Sequence, residues 1–326
     1  MRTISKAIIT GITGSGGSYL AEHIAKNHPE VEIHGTSRTH TNASESFLSS
    51  IADKVKIHEC DLLDFSAIFN VLKEVRPDSV FHLAANANVR ASWSNPLSVL
   101  NNNIMGNANL LEAVRLLELD PVIQICSTSE VYGQVSKEHI PIREDCPISC
   151  ANPYAVSKLC QDQLGLVYYL GYGMKIIRTR AFGYVNYRRP GLVLTSFAKQ
   201  IAEIEVGLRE ELTHGNLDSI RTFLDVRDIV EAYYVATLQG DYGEVYNIGH
   251  DVPIRIGDAL DLLISLAKCR IITRLDTDLV RPADVTLQIP CVDKFRNKTG
   301  WKPKVDFEDS MRDLLNYWRA KYETLS

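Results

Sequence analysis

Residues 10–17 read TGITGSGG, directly after the apolar run AIIT (7–10). Gly11, Gly14 and Gly17 stand at the spacing G-x-x-G-x-x-G, and a helical pattern over 17–28 follows. Glycines between a strand and a helix permit a tight turn and a close backbone approach to a pyrophosphate. The positive end of the helix then faces the negative charge. A glycine triplet alone is a weak signal; here it has the strand-turn-helix setting that the chemistry requires. The reading is a phosphate cradle for a dinucleotide, and it decides the fold.

Outward from the turn, short apolar runs alternate with helical patterns. Strands are expected at 7–10, 31–36, 55–60, 79–84, 122–126 and 174–180, with helices around 17–28, 65–75, 97–118 and 153–170. Such alternation means a parallel sheet covered on both faces. After about residue 182 the pattern loosens. Helices are expected near 191–206 and 226–238, short strands near 210–213 and 219–224, a strand at EVYNIG, and an amphipathic helix at DFEDSMRDLLNYWRAKY. The expected fold is α/β, a doubly wound parallel sheet of the Rossmann type with a smaller C-terminal α/β substrate lobe. A nucleotide-binding domain over 1–181 and a lobe over 182–326 are expected, with some segments exchanged between them.

The chain has 326 residues, ordinary apolar and charged fractions, and a formal net charge of −5. That charge argues against general nucleic-acid binding. No apolar stretch is long enough to span a bilayer, and MRTISKAIITG lacks a signal peptide's cleavage region. A cytoplasmic enzyme is the expectation. The seven cysteines are scattered and read as free thiols. Cys146, Cys150 and Cys160 lack partners at zinc-binding spacing, so no metal is expected.

Two further stretches carry chemistry. STSEVYG (127–133) follows the strand PVIQIC and places Thr128 and Glu130 at its C-terminal exit, the edge where open α/β sheets bind ligands. YAVSK sets Tyr154 and Lys158 four apart after Pro153, on one face of a helix. A nearby ammonium lowers the pKa of a phenol, so Tyr154 is expected to serve as general base toward an alcohol. Thr128 is placed to hydrogen-bond the same alcohol. Ser127 and Ser129 read as turn formers, and Tyr132 as packing. The second strand ends HGTSR. Where a cofactor with a free ribose hydroxyl meets an acid, this chain offers Ser37 and Arg38, which favours NADP over NAD. Asp61 opens DLLD after the third strand and reads either as an adenine contact or as a helix N-cap.

Together TGxxGxxG, DL, HLAA, STSEVYG and YAVSK resemble the extended short-chain dehydrogenase/reductase family. GITGSGGSYLAEHI resembles the GDP-mannose 4,6-dehydratases. SFAKQIAEIEVG, GNLDSIRTFLDVRDIVEAYYVA, GEVYNIG and RPADVTLQIP are similar to the neighbouring GDP-4-keto-6-deoxymannose reductases. The resemblance spans nearly the whole chain. It implies that Thr13, Leu62, Leu83 and Ala84 join the cofactor site, and that a homodimer or homotetramer acts on a GDP-sugar. In dehydratases the carboxylate two residues after the threonine removes the C5 proton, which implies that role for Glu130. Reductases also carry a glutamate there, so reduction, or oxidation or epimerisation at C4, stands as the alternative, and a non-catalytic NADP-binding regulator as a third. YVNYRRPG resembles the dehydratase NH-x-PRRG loop and implies that Asn186, Arg188 and Arg189 meet the diphosphate. Lys199 on the next helix, Arg221 and Arg281 match substrate-binding positions. Thr222 replaces an expected acid, Tyr187 replaces an expected histidine, and NANVRASW (86–93) departs from the dehydratase pattern. These departures leave the sugar open, a hexose or a heptose.

Overall fold

Ala7, Ile8 and Ile9 have no exposed surface, because β1 (Lys6–Thr10) is an interior strand of a seven-stranded sheet, paired on both sides. The computed structural model describes residues 2–279 and 285–323. The other strands of the sheet are β2 (Glu32–Ser37), β3 (Val55–Glu59), β4 (Ser79–His82), β5 (Val122–Thr128), β6 (Ile176–Ala181) and β7 (Val245–Ile248). Their order is β7-β6-β5-β4-β1-β2-β3, and every pairing is parallel. Strands buried on both faces favour near-continuous apolar runs, as in β1. β6 buries Arg178 and Arg180 among its apolar residues, and the edge strand β3 leaves its residues half-buried or exposed.

The helices are α1 (Ser15–Asn27), α2 (Phe65–Val75), α3 (Val89–Ser94), α4 (Pro96–Leu100), α5 (Gly106–Leu116), α6 (Pro153–Tyr172), α7 (Val193–Glu205), α8 (Val226–Gln239), α9 (Ile256–Ser265), α10 (Asp293–Thr299) and α11 (Phe307–Glu323). The short strands expected near 210–213 and 219–224 form at Leu212–His214, Ile220–Arg221 and Leu224–Asp225, in two-stranded pairs outside the main sheet. Ile9 and Phe81 face one side, with Leu20 and Ile24 of α1 and Ile229 and Tyr233 of α8. Ile8 and Val80 face the other, with Ile68 and Leu72 of α2 and Leu110 and Val114 of α5. The alternation of neighbouring residues between two cores is the period of a strand. A separate apolar core joins α7, α9 and α11 through Phe197, Ile201, Leu260, Leu263, Met311, Leu315 and Trp318.

The helix expected over 97–118 is not continuous. α4 passes into a π-helical turn, Asn101–Met105, before α5 begins. That turn carries Asn103, fully buried, whose amide binds the Asn86 backbone in both directions at 2.7 and 3.1 Å. The widened turn accommodates a residue directed inward. The reading also lacked α3, α9 and α10. The strand at EVYNIG does form, but as β7 it returns to the main sheet beside β6. No described helix is long and apolar enough to cross a membrane.

Candidate active site

The glycine turn joins β1 to α1 as expected. Gly11 has φ 68°, and a Cβ there would lie 3.1 Å from Ala84 Cα, so both conformation and space call for glycine. At Gly17 a Cβ would lie 2.3 Å from the Gly11 carbonyl oxygen. Gly14 opens α1 with no side-chain cap, leaving the first-turn N–H groups to an external anion. Thr13 reaches Ser37 at the end of β2, 3.4 Å between hydroxyl oxygens, and Arg38 stands exposed just beyond. Leu83 borders the turn, its Cδ2 3.6 Å from where a Cβ on Gly16 would lie, and Ala84 N–H donates to Thr10 Oγ1 at 3.1 Å. Asp64, not Asp61, caps α2, accepting from Ser66 and Ala67. Asp61 folds into its own turn instead, accepting from Leu63 N–H at 3.0 Å, and lies exposed beside the buried Leu62. An uncapped helix end and a glycine floor fit the pyrophosphate of a dinucleotide.

Across from the cradle, β5 ends at Thr128 and Ser129–Tyr132 form a 3-10 turn. Thr128 Oγ1 accepts from Glu130 N–H at 3.3 Å. Gln288 braces Ser129, bonding its hydroxyl and its carbonyl at 3.2 and 3.3 Å. The buried Tyr132 hydroxyl donates to Asn247 Oδ1 at 2.8 Å, which is a packing role. α6 starts at Pro153 with Asn152 as its N-cap, Oδ1 accepting from Ala155 N–H at 2.8 Å. The same Asn152 donates from Nδ2 to Glu130 Oε2 at 2.9 Å. One residue therefore caps the helix that carries Tyr154 and Lys158 and holds the carboxylate on the opposite wall.

The electrostatics differ from the expectation. Burial pushes the Tyr154 phenol well above its ordinary value; the Arg189 guanidinium is the main opposing charge, and the Thr128 hydroxyl also favours the phenolate. Lys158 gives its ammonium to Gln161 Oε1 at 2.6 Å, and burial pushes its own pKa down. Arg189 thus approaches the phenol, and it also donates to the Ala87 carbonyl. It opposes the burial of Tyr184 in the same way.

The expected substrate residues do not all converge. Asn186 is fully buried and organises its own loop, accepting from Arg188 N–H at 3.1 Å. Arg188 turns to α1, bonding Ser18 at 2.9 Å and Glu22 at 2.7 Å across the Tyr19 ring. Lys199 pairs with Glu203 at 3.5 Å. Arg221 donates to the Val285 carbonyl, on the segment that also supplies Gln288 to Ser129. Arg281 lies outside the described residues. Tyr187 is engaged with Asp225 at 2.5 Å and Arg227 at 2.8 Å. Sequence reasoning missed Asn152, Asn103, Gln161 and His82. An asparagine before a proline at a helix start signals a cap and could have found Asn152. The partners of the others come from distant elements, so no local pattern marks them. No group of three or more His, Cys, Asp or Glu side chains that could hold a metal occurs among the described residues.

The GDP-mannose 4,6 dehydratase family model matches residues 8–314. GDP-6-deoxy-D-mannose reductase of Pseudomonas aeruginosa is 28% identical over 97% of this chain and 98% of its own length. GDP-mannose 4,6-dehydratase of Yersinia enterocolitica is 30% identical over 96% and 93%. Among solved structures, RMD from Pseudomonas aeruginosa complexed with NADPH matches at TM-score 0.83 and 28% identity, over 97% of this chain and 99% of that one. UDP-glucose 4-epimerase of Thermus thermophilus, at TM-score 0.85 and 24% identity over 96% and 99%, shows the likeness of fold. The family resemblance carried by the motifs therefore holds: the chain belongs to the GDP-mannose 4,6-dehydratase family.

Proposed function

We propose that the protein is a nucleotide-sugar 4,6-dehydratase acting on a GDP-hexose. The observation that carries this reading is the Asn152 bridge, which sets the Glu130 carboxylate against the head of the helix bearing Tyr154 and Lys158. Gly11, Thr13, Gly14, Gly17, Ser37, Arg38, Asp61, Leu62, Leu83 and Ala84, with Tyr154 and Lys158, would hold a nicotinamide dinucleotide. When bound, it supplies the hydride acceptor and donor. Tyr154 takes the proton of the sugar's C4 hydroxyl, with Thr128 hydrogen-bonded to the same oxygen and Lys158 holding a positive charge nearby. The resulting C4 ketone acidifies the C5 proton. Glu130 removes it and protonates the hydroxide leaving C6. The hydride that left C4 would then return to C6 while a solvent-derived proton is restored to C5, so the 4-keto-6-deoxy product forms with no net redox change. Asn186, Arg188, Arg189, Lys199, Arg221 and Arg281 would serve the nucleotide diphosphate and sugar, with paired arginines suited to the diphosphate. NADP over NAD is part of the proposal, supported by Arg38 and the lack of an acid beside it. So are a cytoplasmic location and a homodimer or homotetramer. The large apolar side chains Leu97, Met105, Val156, Val167 and Leu170, exposed on α4, the π turn and α6, support self-association.

The second reading is a GDP-4-keto-sugar reductase, or a C4 dehydrogenase or epimerase of a GDP-hexose or GDP-heptose. It is favoured by the similarity to the Pseudomonas reductase along nearly its whole length. Incubation with GDP-mannose in deuterated water separates the two. A dehydratase loses water with no net NADPH consumed and leaves deuterium at C5. Glu130→Gln should form the 4-ketone without losing water, which mass spectrometry of the nucleotide sugar reads directly. Consumption of NADPH on a 4-keto-sugar, with no water loss from any GDP-sugar, establishes the second reading instead.

A further inference from the structure

Lys158 is only 2% exposed, and a buried ammonium needs acceptors. Gln161 Oε1 is one, at 2.6 Å. With its oxygen so used, the amide has only its two N–H donors left. Gln161 Nε2 lies 2.9 Å from the Asn103 carbonyl oxygen and 3.2 Å from His82 Nε2. One hydrogen goes to each, so His82 Nε2 accepts. The ring proton therefore sits on Nδ1, which lies 2.9 Å from Thr10 Oγ1. Burial, and after it the Lys158 charge, push His82 down to about 3, which keeps the ring neutral at working pH. Thr10 closes β1 immediately before Gly11. A directed chain of buried hydrogen bonds thus runs from Lys158 on α6, through β4, to the base of the glycine turn.

We propose that Gln161 and His82 are positioning residues that hold Lys158 as an ammonium aimed at its working place, with His82 locked as the Nδ1–H tautomer. This rests on the reading of Tyr154 and Lys158 as the catalytic pair. Burial is the main force against the ammonium; Cys126 on β5 and Asp162 on the same helix favour the charge, and the nearby Arg189 opposes it. Loss of the Gln161 acceptor tips that balance against the charge.

Two experiments test the chain. Nitrogen-15 NMR of histidine-labelled wild type reads the tautomer of His82, assigned among nine histidines with a His82→Gln control spectrum. A neutral Nδ1–H ring from pH 6 to 9 is expected; an Nε2–H ring or an imidazolium overturns the proposal. In Gln161→Met the ammonium is lost at lower pH, so the alkaline limb of the kcat profile should move down by about one pH unit. Gln161→Glu restores an acceptor and should return that limb to the wild-type position or above it. Folded Gln161→Met with an unchanged profile overturns the proposal. Should Gln161→Met not fold, the wild-type tautomer decides. Should wild type turn over no nucleotide sugar, the functional reading fails, while the NMR result still judges the chain.

Discussion

Arg38 stands exposed one position beyond the buried Ser37, at the mouth of the glycine turn. A guanidinium there gains by meeting a phosphate and has little to offer a free ribose hydroxyl. Charge-assisted hydrogen bonds contribute about 1.5–3 kcal/mol each, or about 10–100-fold in affinity. Arg38→Ala should therefore weaken NADP by roughly that factor and leave NAD nearly unchanged. Calorimetric dissociation constants for both cofactors decide it; an unaltered NADP affinity removes Arg38 from the site. Single residues with chemical signatures were readable in the chain. Gly11 and Gly17 announced a turn because no other side chain fits, and the structure shows why: a Cβ at either would meet Ala84 or the Gly11 carbonyl. Environments were not readable. Spacing gave Tyr154 and Lys158 a shared helix face, yet the charge that most favours the phenolate is Arg189, which comes from a loop. Coulombic effects depend on distance through space, and sequence spacing fixes that distance only within one element.

α6 shows what an element boundary can carry. Its cap, Asn152, serves the helix through Oδ1 and Glu130 through Nδ2. Asn152→Ala loses both, and an N-cap is worth about 1 kcal/mol. Asn152→Asp keeps a cap oxygen but sets a second carboxylate against Glu130. The alanine variant should melt a few degrees lower. The aspartate variant should melt close to wild type, yet lose water-eliminating turnover by about tenfold or more through like-charge repulsion. Thermal melts and product analysis together separate the two roles; an active aspartate variant detaches Asn152 from the chemistry. At this scale interior strands such as β1 were legible because burial on both faces favours apolar runs. The π turn at Asn101–Met105 was not, since it depends on Asn103 finding Asn86 and Ser157 across the fold. Nor was the place of β7: EVYNIG reads as a strand, but its partner β6 is fixed by the topology of the intervening α7 and α8.

The whole molecule is tied together beneath the site by one buried carboxylate and two guanidiniums. Asp162 on α6 has no exposed surface and accepts from Arg178 Nη1 at 2.8 Å and from Arg180 Nε at 2.9 Å, both on β6. Arg180 continues to the Tyr132 hydroxyl at 2.9 Å and the Glu144 carbonyl at 3.1 Å. Arg178 reaches the Gly243 carbonyl at 2.7 Å, just before β7. Asn247 on β7 closes the ring, receiving from Tyr132 and donating its N–H to Glu144 Oε1 at 2.8 Å. The turn that carries Glu130, the helix that carries Tyr154 and the edge of the sheet thus share one network. Burial by itself would raise the Asp162 pKa, but Arg180 and then Arg178 outweigh it and hold the carboxyl below its ordinary value. A carboxyl depressed on folding stabilises the fold above its unfolded pKa of about 3.9. That stabilisation fades as pH falls through the lower, folded value. Asp162→Asn removes the charge and leaves two guanidiniums buried without it, a loss of about 3–5 kcal/mol where a buried pair is broken. The urea midpoint of the variant at pH 7 should fall accordingly, and turnover with it as α6 loses its anchor to β6. The difference from wild type should be constant from pH 7 to about 5 and narrow in stronger acid, where the wild-type carboxyl is itself protonated. A difference that stays constant down to pH 2, or a variant as stable as wild type at pH 7, would show that the charge of Asp162 does not hold this network.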